Sequence, residues 1–521
     1  MEKKTLPIGR QDLRKMRAEN CIYVDKTALI YDLTRNGGMY FLSRPRRFGK
    51  SLLLSTMKEL FLGSKALFED TWILDKWDWS KVSPVIHISF LSVDYEKLGL
   101  DAGIRQCLLE IFEENDIIPK VTDNTKTLFI DLVKKIHEKH GRVAILIDEY
   151  DKPILDFLET NKLDQAKANQ EILGIFYGAL KDADPYIRFL FITGISKFTK
   201  VSLFSKLNNL YDLTLDPQYA ALLGYTQQEL EQNFAIYLDE VGEVFPEFTR
   251  EQLLEEIRLW YNGYSWDGKT RLYNPFGILL FLAQKDFQDH WFESGTPSFL
   301  VKKMLEEDFF HLETVETDMT FLNKYSLDNV ELISLLFQTG YLTIKDKQKY
   351  GELVLAYPNK EVRIAMYSFL IDDMGYTRGG GGVTVRHLRK AFIDNDLDRV
   401  KNILTSLFSG LAFDVYMHQT MQQVEGFYHG LIHILFKCLG IYIQSEVHTS
   451  IGRADAIIET PSHIYFLEFK INSNGATALQ QIKDKKYADA HKADNRVKIG
   501  VGINFNSTNK ALDGWEKAEL T

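Results

Sequence analysis

Met39-Tyr-Phe-Leu-Ser-Arg-Pro-Arg-Arg-Phe-Gly-Lys-Ser51 reads as an apolar strand and a turn ending in Gly49-Lys50-Ser51; the amphipathic run that follows, Leu52 to Leu62, predicts a helix. Strand, loop and helix in that order suit phosphate binding. The helix N-terminus presents free backbone N–H groups, a lysine there reaches the β- and γ-phosphates, and a neighbouring hydroxyl can ligate Mg²⁺. The nucleotide-binding candidates are therefore Arg46, Arg47, Phe48, Gly49, Lys50, Ser51 and Leu52, with ATP and Mg²⁺ as the expected ligands. One element of the usual pattern is missing, because its opening glycine falls at Arg44, which Pro45 follows.

A literal search for the pattern returns a different stretch, Gly263-Tyr-Ser-Trp-Asp-Gly268-Lys269-Thr270. That match follows a helical pattern, Glu251 to Tyr261, and runs into Arg271-Leu-Tyr-Asn-Pro275, whose proline sits where a phosphate-capping helix should be running. It reads as a turn between two elements. Arg44 is tolerable at the true site, since phosphates are held mainly by amides nearer Lys50, and Pro45 precedes that cradle. Arg46 and Arg47 either add charge near the phosphates or face a neighbouring subunit. A helix merely capped by Gly-Lys-Ser is the bland alternative, and a second motif decides against it.

That motif is Arg142-Val-Ala-Ile-Leu-Ile-Asp148-Glu149-Tyr150-Asp151. Five apolar residues in a row indicate a strand buried on both faces, as in a parallel sheet covered by helices. Two carboxylates follow at its C-terminal end, where open α/β sheets place their ligands. Asp148 is the metal candidate, beside Ser51, and Glu149 the residue that orients or deprotonates the attacking water. A third strand, Ile187 to Thr193, ends in polar residues too, so Thr193, Ser196 and Lys197 are candidates to sense the γ-phosphate.

At 521 residues the chain exceeds one hydrophobic core, so two to four domains are expected. Its 45% hydrophobic and 26% charged residues are ordinary for a globular protein. The three cysteines, Cys21, Cys107 and Cys438, are widely separated, which suits a reducing compartment and offers no disulfide or metal-finger framework. The N-terminus lacks the apolar core of a signal peptide, and no run approaches the length that spans a bilayer, so a cytoplasmic protein without a membrane partner is expected. A net charge of −10 argues against a surface coated in nucleic acid, while leaving room for a local basic groove.

Strands and helices alternate through the first part: Gly38 to Ser43 strand, Leu52 to Leu62 helix, Val85 to Phe90 strand, Ala102 to Asn115 and Leu128 to His140 helices, Val143 to Ile147 strand, Asn169 to Lys181 helix, Ile187 to Thr193 strand. The fold class expected is α/β and multidomain. A P-loop parallel-sheet ATPase core occupies 1–225, a helical lid 226–320, and a winged-helix-like or hairpin-bearing connector 321–400. Residues 401–521 have their own order: a helix from about Gln422 to Leu439, strands Ile441 to Val447, Arg453 to Ile458 and His463 to Lys470, a helix from about Ala476 to Ala490, and a strand Val497 to Ile503.

Within that αβββαβ order lies a second constellation. Asp455 is on the second strand and Glu468-Phe469-Lys470 ends the third, with Glu468 and Lys470 on one face. Two carboxylates on adjacent strands make an oxygen site for Mg²⁺ or Mn²⁺, and Glu425 on the preceding helix could complete the metal shell. Lys470 would stand beside metal-bound water or stabilise charge on an attacked phosphate. Gln480, Gln481 and Tyr487 could touch a nucleic-acid strand, with Lys483, Lys485 and Lys486 meeting phosphates. Glu-x-Lys alone occurs by chance, as at Glu2-Lys3-Lys4; the ordered set is what points to a nuclease-type site. His429 and His433 lie one helical turn apart, and without a third ligand nearby they read as helix packing.

The chain resembles a bacterial and archaeal family that joins an AAA-ATPase-like N-terminal domain to a C-terminal domain of the PD-(D/E)XK nuclease superfamily. The resemblance is carried by Leu6-Pro-Ile-Gly9, Tyr23-Val-Asp-Lys-Thr27, Arg44 to Ser51, Leu146 to Asp151, Trp260-Tyr-Asn-Gly-Tyr264, Tyr273-Asn-Pro275, Trp291-Phe-Glu-Ser-Gly-Thr-Pro297, and the pair Asp455 and Glu468-Phe-Lys470. It covers nearly the whole chain, and the Arg-Arg-x-Gly-Lys-Ser form looks like that family's own variant. The resemblance implies fold more strongly than activity.

The leading functional expectation is an ATP-binding, ATP-hydrolysing protein coupled to a metal-dependent nuclease-like domain that acts on DNA or RNA, with Glu149, Lys470, Asp455 and Glu468 as the catalytic set. The competing expectation is a nucleotide-dependent switch whose inactive nuclease-fold domain binds a partner. AAA-like proteins often assemble into homo-oligomers in which an arginine reaches a neighbour's nucleotide, and the sequence nominates no such arginine.

Overall fold

The computed structural model describes residues 3–35, 37–158, 162–197, 209–290, 300, 303–304, 312, 314–322, 331–348, 351–373, 381–409, 442–448, 453–506 and 511–520. The chain divides into two compact units, Met1–Val362 and Arg363–Thr521. Among the described residues, no helix is long and apolar enough to cross a membrane.

The first unit is built on a five-stranded sheet of β1 (Gly38–Ser43), β2 (Val85–Ser89), β3 (Val143–Asp148), β4 (Ile187–Gly194) and β5 (Leu210–Asp212), in the order β2-β3-β4-β1-β5. All four pairings are parallel. Every residue of β3 is buried, as an unbroken apolar run in a sheet covered on both faces requires. β4 lies between β1 and β3, with Thr193 opposite Leu42 and Ile192 opposite Ile147. That interposition brings the C-terminal ends of all three strands to one edge. Helix Lys50–Phe61 leaves β1 and packs on β2, β3 and β4.

The helix after β1 begins two residues before the expected start at Leu52, so Lys50 and Ser51 already belong to its first turn. The helix before β4 is longer than expected, Leu163–Ala183, because its polar first turns carry no apolar periodicity. Strand β5 was not expected; three residues are too few to show an alternation. Helices Gln227–Asn233, Ala235–Val244, Arg250–Tyr261 and Pro275–Gln284 follow, two of them opened by capping boxes, Thr226 with Glu229 and Thr249 with Gln252. A small antiparallel sheet of β6 (Val315–Asp318), β7 (Thr343–Lys347) and β8 (Glu352–Ala356), ordered β6-β8-β7, closes the unit, with helix Leu332–Thr339 leading into the β7–β8 hairpin. The β7–β8 hairpin belongs to the first unit, and helices Gly381–Ile393 and Leu397–Ser409 belong to the second.

The second unit carries β9 (Tyr442–His448), β10 (Arg453–Glu459), β11 (His463–Ile471), β12 (Val497–Asn506) and β13 (Ala511–Glu519) in the order β13-β12-β11-β10-β9. β9, β10 and β11 form an antiparallel meander, and β12 runs parallel to β11 after the crossover helix Gly475–Asp484. An added strand extends the expected order of three strands, helix and strand: β13 pairs antiparallel with β12. Its mixed sequence, Ala-Leu-Asp-Gly-Trp-Glu-Lys-Ala-Glu, does not alternate cleanly, so periodicity hid it. Even-numbered β11 residues Ile464 and Phe466 pack with Leu479 and Ile482 of the crossover helix. On the opposite face the Tyr465 hydroxyl donates to Phe392 O at 2.9 Å. The expected helix Gln422 to Leu439 lies outside the described residues, and with it Glu425, His429 and His433; Trp291 to Pro297 lie outside them as well.

Candidate functional site

The loop between β1 and helix Lys50–Phe61 takes two left-handed residues, Arg47 at φ 65° and Gly49 at φ 94°. Glycine suits the second, where the chain turns into the helix and no Cβ crowds the turn. Around this loop lies a cavity of about 550 Å³ lined by Arg46, Arg47, Phe48, Gly49, Lys50, Ser51, Leu52 and Glu149. Every nucleotide candidate from the loop is present in that lining. Asp148 reaches it through Ser51, whose hydroxyl donates to Asp148 Oδ2 at 2.6 Å.

The other Asp148 oxygen, Oδ1, accepts from Thr193 Oγ1 at 2.6 Å. Ser51, Asp148 and Thr193 therefore form one hydrogen-bonded line across the ends of β3 and β4. A hydroxyl and a carboxylate side by side are hard oxygen donors of the kind Mg²⁺ takes alongside phosphates and water, so the donor set fits that ion. Lys50 is buried, with Nζ donating to the carbonyls of Arg44 and Pro45, both at 3.0 Å. Glu149 holds a left-handed backbone, φ 52°, immediately after β3, and lines the cavity. A non-glycine residue is rare in that region and marks a position that the surroundings fix.

Two of the three γ-phosphate-sensing candidates are turned elsewhere. Ser196 donates through both N and Oγ to Asp151 Oδ2, each at 2.6 Å, and Lys197 pairs with Asp212 at 3.1 Å. Asp151 is fully buried, and burial pushes its carboxyl up to about 6 despite the hydrogen bonds from Ser196. Its role is to tie the residues after β3 to those after β4.

Arg44, at the place of the usual glycine, points away from the cavity. It is 1% exposed, its Nη1 donates to Ser43 O at 2.9 Å and Thr214 O at 2.8 Å, and its guanidinium lies 4.0 Å from the Trp266 ring centroid. Burial lowers its proton affinity to about 9, opposed by the charges of Asp212 and Asp267. Phe48 points the same way, edge-on to Tyr264 at 4.9 Å and Trp266 at 5.2 Å. Its contribution to the cavity lining comes with a side chain that anchors the loop.

The stretch that anchors it is the literal motif match. In Gly263 to Thr270, Asp267 Oδ1 accepts from the amides of Lys269 and Thr270, both at 2.8 Å, and Oδ2 from Thr270 Oγ1 at 2.7 Å. The amides that would cradle a phosphate are already taken by a carboxylate, and Lys269 is exposed. The other edge of this turn is stitched to β7: Ser265 N donates to Thr343 Oγ1 at 2.7 Å, and Arg271 Nη2 to Lys345 O at 2.6 Å. The turn is a structural bracket, as its flanking sequence indicates.

Sequence reasoning missed most of the cavity's walls. Pro7, Tyr23 and Val24 from the N-terminal segment, and Leu222, Leu223 and Phe276 from the helical region, also line it. Asn274 caps helix Pro275–Gln284 by accepting from Phe276 N at 2.9 Å, which positions that ring. Lys26 also lines the cavity and bonds both oxygens of Glu229, at 2.6 and 2.7 Å; burial lowers its pKa and Glu229 opposes the shift. Lys152 lines it too. The signal was present in the short motifs Tyr23-Val-Asp-Lys-Thr27, Asp151-Lys-Pro153 and Tyr273-Asn-Pro275, but nothing in their periodicity says that they meet.

In the second unit, Glu468 is 2% exposed at the C-terminal part of β11. Its Oε1 accepts from Lys470 Nζ at 3.2 Å and from Gln481 Nε2, which also reaches the Tyr487 hydroxyl at 3.4 Å. Gln481 gets there because the crossover helix lies against β12: a Cβ on Gly502, the register partner of Glu468, would stand 2.2 Å from Gly475 O. The β10–β11 ladder pairs Ala456 with Leu467, the residues next in sequence to Asp455 and Glu468. Lys483, Lys485 and Lys486 are exposed, and Gln480 is turned to Asp484 at 2.8 Å.

Residues 7–204 match the family described as a predicted AAA-ATPase, and residues 423–515 match the PD-(D/E)XK nuclease superfamily. The chain is 37% identical over 527 residues to an Azotobacter chroococcum protein described as an uncharacterized protein in the vnfD 5′ region, with 99% of each chain covered. Among solved structures, the Aeropyrum pernix ORC1 protein in complex with DNA is 10% identical (71% of this chain, 94% of that one, TM-score 0.25). The Pyrobaculum aerophilum Cdc6p structure is 11% identical (71% and 97%, TM-score 0.27). Neither likeness carries an argument at that level. By its two domain matches, its parallel five-stranded core and its meander-plus-crossover sheet, the chain belongs to the family that joins an AAA-ATPase-like domain to a C-terminal domain of the PD-(D/E)XK nuclease superfamily, together with its Azotobacter chroococcum relative.

Proposed function

We propose that the first unit binds and hydrolyses ATP and that the second is a metal-dependent nuclease-type module acting on DNA or RNA, with nucleotide state governing its use. The observation that carries the reading is the Ser51–Asp148–Thr193 line at a cavity of about 550 Å³ that the P-loop wraps. Amides from Arg46 to Ser51 hold the phosphates, and Lys50 leaves the Arg44 and Pro45 carbonyls for the β- and γ-phosphates. Ser51 and Asp148 are the residues that would hold Mg²⁺, which when bound neutralises charge on the phosphate oxygens. Thr193 fixes Asp148 by its second oxygen. Glu149 orients the attacking water and accepts its proton. Helices from 226 to 320 act as the lid, with Leu222, Leu223 and Phe276 against the base.

In the second unit, Asp455 and Glu468 are the residues that would hold Mg²⁺ or Mn²⁺, together with Glu425, which lies outside the described residues, and Lys470 would stabilise charge on the phosphodiester under attack. The exposed Lys483, Lys485 and Lys486 meet the nucleic-acid backbone. ATP turnover and cleavage of DNA and RNA measured on one preparation test the proposal. Lys50→Ala is expected to abolish nucleotide binding, and Asp455→Ala or Glu468→Ala to abolish cleavage. Wild-type protein that binds ATP but cuts no nucleic acid with either metal, in any nucleotide state, would leave only the ATPase half standing.

A further inference from the structure

Hydrolysis at this site needs positive charge on the γ-phosphate side as well as at the P-loop, because the bond being broken spreads charge over the γ oxygens. Of the P-loop cations, Lys50 serves the phosphates from the loop side, and the Arg47 guanidinium lies 3.7 Å from the Phe276 ring centroid. Another cation stands with the water-activating residue. Lys152 lines the same cavity as Glu149, and its backbone N donates to Glu149 O at 3.0 Å, closing a turn over Tyr150 and Asp151 that ties the two residues together.

The Lys152 ammonium rests on Asp156, one helical turn away, and the Tyr95 hydroxyl donates to the same Asp156 oxygen at 2.5 Å. Such a partly exposed pair is weak and can be exchanged for a stronger one. A flexible four-carbon stem allows the ammonium to turn from Asp156 to a more highly charged group.

We infer that Lys152 is a catalytic cation supplied in cis, which moves from Asp156 to the γ-phosphate of ATP and does there what a neighbouring subunit's arginine does in assembled ATPases. The inference rests on the ATP-site reading above. In the step it serves, the water oxygen bonds to the γ-phosphorus and the water proton passes to Glu149. The bond from phosphorus to the β–γ bridging oxygen breaks, and its electron pair stays on ADP. Lys152 shares the charge on the γ oxygens throughout and leaves with inorganic phosphate, returning to Asp156.

Two consequences separate this role from a structural one. Contact with the γ-phosphate favours ATP over ADP, and a cation supplied in cis makes turnover per chain independent of protein concentration. The test uses the full chain with Lys152→Met, Lys152→Arg and Asp156→Asn, measuring ATP and ADP affinity by calorimetry and turnover across a dilution series. Lys152→Met is expected to weaken ATP about tenfold while leaving ADP within about twofold, and to lower kcat about a hundredfold. Lys152→Arg should restore most of the ATP preference, and Asp156→Asn should keep it. Equal weakening of ATP and ADP in Lys152→Met, the same loss in Asp156→Asn, or turnover that falls on dilution of the wild type would overturn the inference while leaving the ATP site intact. Wild-type protein that binds neither nucleotide would sink the ATP-site reading and this one with it.

Discussion

Arg44 and Asp151 show how one residue's surroundings decide what it does. Arg44 occupies the position of a flexible glycine, yet it is buried, donates to two carbonyls and lies over Trp266. Arg44→Gly, which would restore the usual loop pattern, is expected to lower stability by about 2–4 kcal/mol through lost packing and unpaired carbonyls; urea unfolding would show it. For Asp151, the folded state raises the carboxyl to about 6 by burial, above its unfolded value. Between pH of about 4 and about 6 the folded chain therefore keeps a proton that the unfolded chain has released. The group's contribution falls as pH rises through that window and is flat above it. Relative to Asp151→Asn, the wild type should lose on the order of 2 kcal/mol between pH 4.5 and 6.5. An unchanged difference between the two proteins across that range would refute the assignment.

Among the elements, the bracket Gly263 to Thr270 and the P-loop share a sequence pattern and differ in what their amides meet. Asp267 fills the bracket with its own carboxylate, and Phe48 of the P-loop packs against the bracket's Tyr264 and Trp266. Lys269→Ala is accordingly expected to leave ATP affinity within about twofold, a change inside ordinary surface-mutation effects. Asp267→Ala strips two amides and two hydroxyls, those of Thr270 and Ser265, of their acceptor and should cost about 2–3 kcal/mol in thermal unfolding. A strong loss of ATP binding in Lys269→Ala would overturn the structural reading of the bracket. The strands β1, β3 and β4 were legible because unbroken apolar runs leave little choice of element. β5 and β13 were not, being respectively too short and too mixed in pattern, and pairing with a neighbour is what makes them strands.

Over the whole molecule, each candidate site is assembled within one unit: the nucleotide cavity within Met1–Val362, and Glu468, Lys470, Gln481 and Tyr487 within Arg363–Thr521. Glu468→Gln is therefore expected to leave ATP affinity within about twofold, and Lys50→Ala to leave divalent-metal binding by the second unit unchanged, both readable by calorimetry. A large effect across units would mean that the two sites are energetically one.

The sequence by itself determined the chemistry-bearing positions: Gly49-Lys50-Ser51 after an apolar strand, Asp148-Glu149 at the end of another, and Glu468 two residues from Lys470. Local order suffices there, because strand alternation and a helix N-terminus fix where those groups stand relative to their own backbone. Only the tertiary structure decided the partners. It placed Thr193 rather than Ser196 or Lys197 on Asp148, turned Arg44 and Phe48 into anchors, and gathered Tyr23, Lys26, Lys152, Leu223 and Phe276 around one cavity. Those contacts join segments far apart in the chain, and which of them form depends on how the sheet orders its strands and how the helices cover it, which no local pattern encodes.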